Sequence, residues 1–103
     1  MSEPPGKPIP VPTGCTIVEA SVVGLTMLSP ARLEPGSLVD FDLVLGARPI
    51  ATMARVIACA DEGPKRHRVE LGFVAMAQLD RDTLADFLQA VGHDVVRVRE
   101  PRR

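Results

Sequence analysis

The chain has 103 residues, enough for one domain, and at 46% hydrophobic residues it is expected to fold around a core rather than remain disordered. Its formal net charge of -1 argues against the broad basic footprint of a DNA or RNA binder, and 3% aromatics, with no Trp or Tyr, leaves no stacking platform for single strands. No apolar run is long enough to cross a bilayer and no charged segment followed by an apolar one opens the chain, so a cytoplasmic protein without membrane insertion is expected.

Residues 1–14 contain five prolines and two glycines. Proline has no N–H to give a ladder, so this segment reads as an extended, flexible arm and not as a central strand. Cys15 to Ala20 is the first strand, Ser21 to Gly24 turns the chain, and Leu25 to Leu28 starts the second strand. Leu33-Glu34-Pro35-Gly36 is a tight turn, with Pro fixing φ and Gly accepting positive φ. Leu38 to Leu45 alternates, placing Val39, Phe41, Leu43 and Leu45 on one face and Asp40 and Asp42 on the other. Ile50 to Cys59 is a further strand with Arg55 between apolar neighbours. Asp61 to Lys65 is a hairpin tip, and His67 to Val74 returns with Val69, Leu71 and Phe73 opposite Arg68 and Glu70.

After Gln78 the period changes: Leu84, Phe87, Leu88 and Val91 fall on one face of a helix near 80–91. Asp80 or Asp82 is the candidate N-cap, and Gly92 is placed to end the helix. Val95 to Val98 is a brief extended segment before a basic tail, 99–103. The elements predict a mainly β fold: a small antiparallel β-barrel of about six strands over 15–98, with one C-terminal α-helix covering its apolar end.

Chemistry is sparse. Glu19, Ser21 and Gly24 offer a carboxylate, a hydroxyl and a close backbone approach at one turn, although Ser and Gly also shape turns with no ligand involved. Arg66, His67 and Arg68 face Asp61 and Glu62 at the hairpin tip, a solvated charge cluster or a partner surface. His67 and His93 have no ligand at metal spacing, and Cys15 and Cys59 read as small buried hydrophobes. With no catalytic motif and no Gly-rich phosphate loop, neither an enzyme nor a cofactor is expected.

The order of elements, joined to Glu19-x-Ser21-x-x-Gly24, Pro35-Gly36, Ala54-Arg55-Val56, Leu71-Gly72-Phe73-Val74 and the helix from Asp80 to Leu88, resembles the PilZ domain family across about Thr16 to Val91. The resemblance implies bacterial cyclic di-GMP-linked signalling, with Glu19, Ser21 and Gly24 at the positions of the nucleotide-binding motif. It also implies an Arg-x-x-x-Arg motif before the first strand. No arginine occurs before Arg32, and only Lys7 lies in that region. Lysine is a point charge and cannot supply the planar fork that bonds and stacks on a guanine.

Two functions follow. The first is a degenerate, non-enzymatic adaptor that acts through contacts with an unidentified bacterial protein, in motility systems for instance, with weak or no nucleotide binding. The second is a cyclic di-GMP effector in which substitute cations, Arg99 and Arg103 of the C-terminal tail, replace the missing pair.

Overall fold

The computed structural model of the chain describes residues 8–92 and 95–100. Seven strands and one helix follow in the order β1 (Ile9–Pro10), β2 (Thr16–Ala20), β3 (Gly24–Ser29), β4 (Leu38–Leu45), β5 (Arg48–Asp61), β6 (His67–Ala75), α1 (Gln78–Val91) and β7 (Val96–Arg99). They form one sheet in the order β1-β4-β5-β6-β3-β2, with β7 joined to β4. The described residues are thus mainly β with a single helix towards the C-terminus, as the sequence predicts.

Among the described residues the ladder is not closed into a barrel, which corrects the expected architecture. One edge of β4 is shared: β1 pairs in parallel with its first half at Val39 and Asp40, and β7 pairs antiparallel with Asp42 to Leu45. Both strands are short, and β2 at the far edge is only five residues long, with a register shift between Ile17 and Glu19. β2 and β7 therefore come close, yet among the described residues they form no ladder.

β5 curves the sheet. Its first half pairs with β4 and its second with β6, and register shifts between Met53 and Ala54 and between Val56 and Ala58 let it bend where it changes partner. The β4–β5 hairpin has a two-residue loop, Gly46-Ala47, with φ of 66° at Gly46, the position where a type II′ turn needs glycine. Pro35-Gly36 makes its expected turn, closed by a 3.1 Å bond from Ser37 N–H to the Glu34 carbonyl.

The inward faces meet in one core. Met27, Val39, Phe41, Leu43, Ile50, Val56 and Val69 are almost wholly removed from water, and Leu84 of α1 joins them. At about 25 cal/mol per Å² of apolar area, such aliphatic burial drives the collapse without large aromatics. Phe87 and Leu88 are partly buried against this core, but Val91, expected on the same stripe, is exposed. The helix begins two residues earlier than expected. Its N-cap is Ala77, which supplies no side-chain cap, so neither Asp80 nor Asp82 caps it, although Asp80 lies in the first turn. Gly92 ends it as expected, with φ of 81° and its N–H on the Leu88 carbonyl at 2.9 Å.

The proline-rich segment also departs from expectation where it is described. Ile9 and Pro10 form an edge strand, Val11 donates to the Asp40 carbonyl at 3.1 Å, and the Val11 side chain is in the core. Pro10 fits because an edge strand leaves one side of its backbone without a ladder.

Candidate functional site

The turn between β2 and β3 is closed by its own atoms. Ser21 N–H donates to the Gly24 carbonyl at 2.8 Å, and the Ser21 hydroxyl accepts from Val23 N–H at 3.2 Å while donating to the Gly24 carbonyl at 3.4 Å. The Val23 carbonyl in turn accepts from Phe73 N–H at 2.9 Å, which fastens the turn to β6. Arg81 of α1 donates through Nη1 to the Val22 carbonyl at 2.8 Å, so the helix holds the same turn from the other side.

Gly24 is demanded by strand packing. It pairs directly with Gly72 of β6, and a Cβ on Gly24 would fall onto the Leu71 carbonyl oxygen, with Gly72 Cα and Leu71 C each 3.2 Å away. Its φ is not in the positive region, so close approach of two backbones and not turn conformation excludes a side chain.

Ladder pairing carries the site outward. Glu19 lies across from Thr26, and Thr26 across from Glu70, so the three stand in one row over β2, β3 and β6. Both glutamates are exposed. The glycine pair lies two residues further along the strands. Val23, 68% exposed, and Ile57, 62% exposed, flank that glycine floor; Ile57 is turned outward at the β5 bulge. Together these residues line an open groove of about 530 Å³. One half is acidic and the other is apolar.

Glu19, Ser21 and Gly24, singled out from the sequence, are brought together here. Thr26, Ile57, Glu70 and Gly72 were missed. Glu70 was legible as an outward-facing residue of its strand, but its place beside Glu19 depends on β3 pairing with β6. None of the described residues lining the groove is a lysine or arginine. Around it, Arg81 is held by the Val22 carbonyl, Arg55 lies opposite Gly72, and the Arg68 guanidinium donates to Glu62 Oε2 at 2.6 Å. That bond, then the Glu62 charge and to a smaller degree Glu19, raises the Arg68 pKa above its ordinary value.

Arg99, the candidate substitute cation, does not reach this groove. It lies on β7, with Nη2 3.5 Å from Asp42 Oδ2, and lines a separate cleft with Val44, Arg97 and Val98. Arg103, Lys7 and His93 lie outside the described residues. At the hairpin tip Glu62 is shared, with Arg66 Nε at 3.8 Å and Arg68 Nε at 2.6 Å, and the Asp61 carboxylate caps Gly63 N–H at 3.1 Å.

The remaining reactive groups are occupied or isolated. Burial pushes the Cys15 thiol above its ordinary value, only partly offset by a hydrogen bond with Ser29. The Ser29 hydroxyl donates to the Ala31 carbonyl at 2.7 Å and accepts from Ala31 N–H at 3.1 Å. Cys15 and Cys59 are free thiols packed at the edge of the core. Among the described residues no three His, Cys, Asp or Glu side chains gather as a metal site, and no helix is long and apolar enough to cross a membrane.

Compared with known proteins, the chain matches no family model, no curated sequence and no solved structure.

Proposed function

We propose that this chain is a non-enzymatic adaptor of PilZ-like architecture that works in bacterial cyclic di-GMP-linked signalling, binds nucleotide weakly or not at all, and acts through protein contacts at the β2–β3–β6 groove. The observation that carries this reading is the charge of the groove: two carboxylates line it, with no lysine or arginine among the described residues. A cyclic dinucleotide brings two phosphodiester charges. At an effective dielectric near 20, each like-charge approach to about 6 Å costs on the order of 3 kcal/mol before screening. Ser21 and Gly24 have structural tasks that account for them without a ligand: one closes the turn and the other permits β3 to meet β6.

The test is isothermal titration of the purified chain with cyclic di-GMP at moderate salt, with thermal unfolding alongside. The expected outcome is no heat and no shift in Tm at high ligand excess. Saturable binding at micromolar concentration would stabilise the fold by about 2.7 kcal/mol at a hundredfold excess over Kd, and would overturn the adaptor in favour of an effector.

A further inference from the structure

We propose that the groove is a receptor for an arginine side chain carried by an extended segment of the partner protein. The proposal rests on the adaptor reading above and gives its contact a chemistry. Three features of the groove converge on that side chain. Its floor at Gly24 and Gly72 carries no side chains of its own, and at Gly72 only the end of the exposed Ile57 side chain lies over it. Val23 and Ile57 stand exposed at that floor and offer apolar contact to an aliphatic stem. Two residues further along the strands, Glu19 and Glu70 flank Thr26.

The dimensions fit one arginine. Glu19 and Glu70 belong to strands separated by one other strand, which sets their backbones about 9.6 Å apart. Two glutamate side chains leaning inward over Thr26 can place their carboxylates on opposite edges of a single planar guanidinium, whose five donors suit two acceptors at once. The distance from the glycine pair to the carboxylate row is two residues along a strand, about 6.7 Å, which matches an extended arginine stem. Arginine places an apolar stem and a charged head in series, as the groove does.

The two carboxylates are exposed. Among the described residues neither Glu19 nor Glu70 forms an ion pair or a hydrogen bond through its side chain. Arg68 exerts a pull on Glu19 but is itself held by Glu62 at 2.6 Å, and Arg55, opposite Gly72, spends Nη1 on the Gly36 carbonyl at 2.9 Å. Charge complementarity thus selects a cation, and the glycine floor with its apolar flanks selects one with a long stem. Lysine satisfies the first condition but cannot fork between two carboxylates.

The experiment compares short fluorescent peptides with one central residue, arginine, citrulline or lysine, flanked by valines, titrated into the full chain and followed by anisotropy and by amide chemical shifts. Citrulline keeps the shape and removes the charge. The arginine peptide is expected to move the amides of Thr26, Glu70 and Gly72, to weaken with added salt, and to bind about tenfold more tightly than the citrulline peptide. Glu19→Gln with Glu70→Gln should abolish that preference, and because both side chains are exposed the variant should keep the wild-type Tm. Equal binding of arginine and citrulline, shifts confined elsewhere, or no shift at millimolar peptide overturns the proposal. Loss of binding in Ile57→Asp together with indifference to citrulline would leave a protein-binding groove and remove only its arginine chemistry, whereas cyclic di-GMP binding would remove the adaptor itself.

Discussion

Replacing Gly24 with alanine separates a glycine required by packing from one required by a ligand. The new Cβ would overlap the Leu71 carbonyl oxygen and press on Gly72 Cα and Leu71 C at 3.2 Å, all of them backbone atoms that no rotamer change can move. Relief requires β3 and β6 to part locally. The bonds at risk are the Phe73 N–H to Val23 carbonyl bond at 2.9 Å, the Ser21 N–H to Gly24 carbonyl bond at 2.8 Å, and the adjacent β3–β6 ladder. With a net loss of about 1 kcal/mol per bond, and about 1–3 kcal/mol for displaced backbone, Gly24→Ala should cost on the order of 3–5 kcal/mol. That is a large share of the roughly 5–15 kcal/mol holding a domain of this size together.

The neighbouring Gly72 is the control. A Cβ there meets Ile57 Cδ1 at 3.1 Å, the far end of a mostly exposed side chain. Ile57 can swing aside, so Gly72→Ala should cost under about 1 kcal/mol. Thermal unfolding followed by circular dichroism should show Gly24→Ala melting about 15 °C or more below wild type, with Gly72→Ala within a few degrees of it. Equal melting temperatures for the two variants would refute the packing explanation and return Gly24 to the ligand-binding reading.

Three further outcomes can be checked on the same material. Leu84→Ala removes the one helix side chain fully buried against the sheet and should cost about 2–5 kcal/mol in urea unfolding, with α1 amides losing most of their exchange protection. Ala77→Ser places a capping hydroxyl three residues before Asp80 at an exposed N-cap with extended φ and ψ, and should raise stability by about 0.5–1 kcal/mol by denaturant titration. The folded-state Cys15 thiol is raised above its ordinary value of 9.0, so above that pH the unfolded chain releases a proton that the folded one keeps. Stability linked to Cys15 is therefore fully present below about pH 9 and lost as pH climbs through the folded value, and Cys15→Ala should flatten this alkaline decline in Tm.

Strands β3 to β6 were legible because each has one wet face. In β4, Val39, Phe41, Leu43 and Leu45 alternate with Asp40 and Asp42, and the structure buries the four apolar side chains. β1 was not legible, since proline masks strand propensity and two residues carry no period; Val11 entering the core decides its docking. Nor could periodicity show that the sheet stays open, which depends on β1 and β7 dividing one edge of β4. The helix start was misread because aspartates favour N-caps, whereas tertiary contacts, including Arg81 on the Val22 carbonyl and Leu84 in the core, set where this helix begins.

At the groove the division between local and non-local information has a chemical consequence. Glu19, Ser21 and Gly24 lie within one short stretch, and by themselves they suit either a ligand or a turn. What distinguishes the two is Glu70, supplied by a strand far along the chain and brought into the row by the Thr26 pairing. A single carboxylate beside an anion-binding turn can be neutralised by one nearby cation. A second, set across the same groove, adds negative charge that no lysine or arginine among the described lining residues offsets. The fold uses Ser21 and Gly24 to bring β2, β3 and β6 together; the charge on the resulting surface comes from Glu19 and Glu70. Substitutions at the first pair should therefore register as lost stability, and neutralisation of the second pair as lost binding in a protein that still folds.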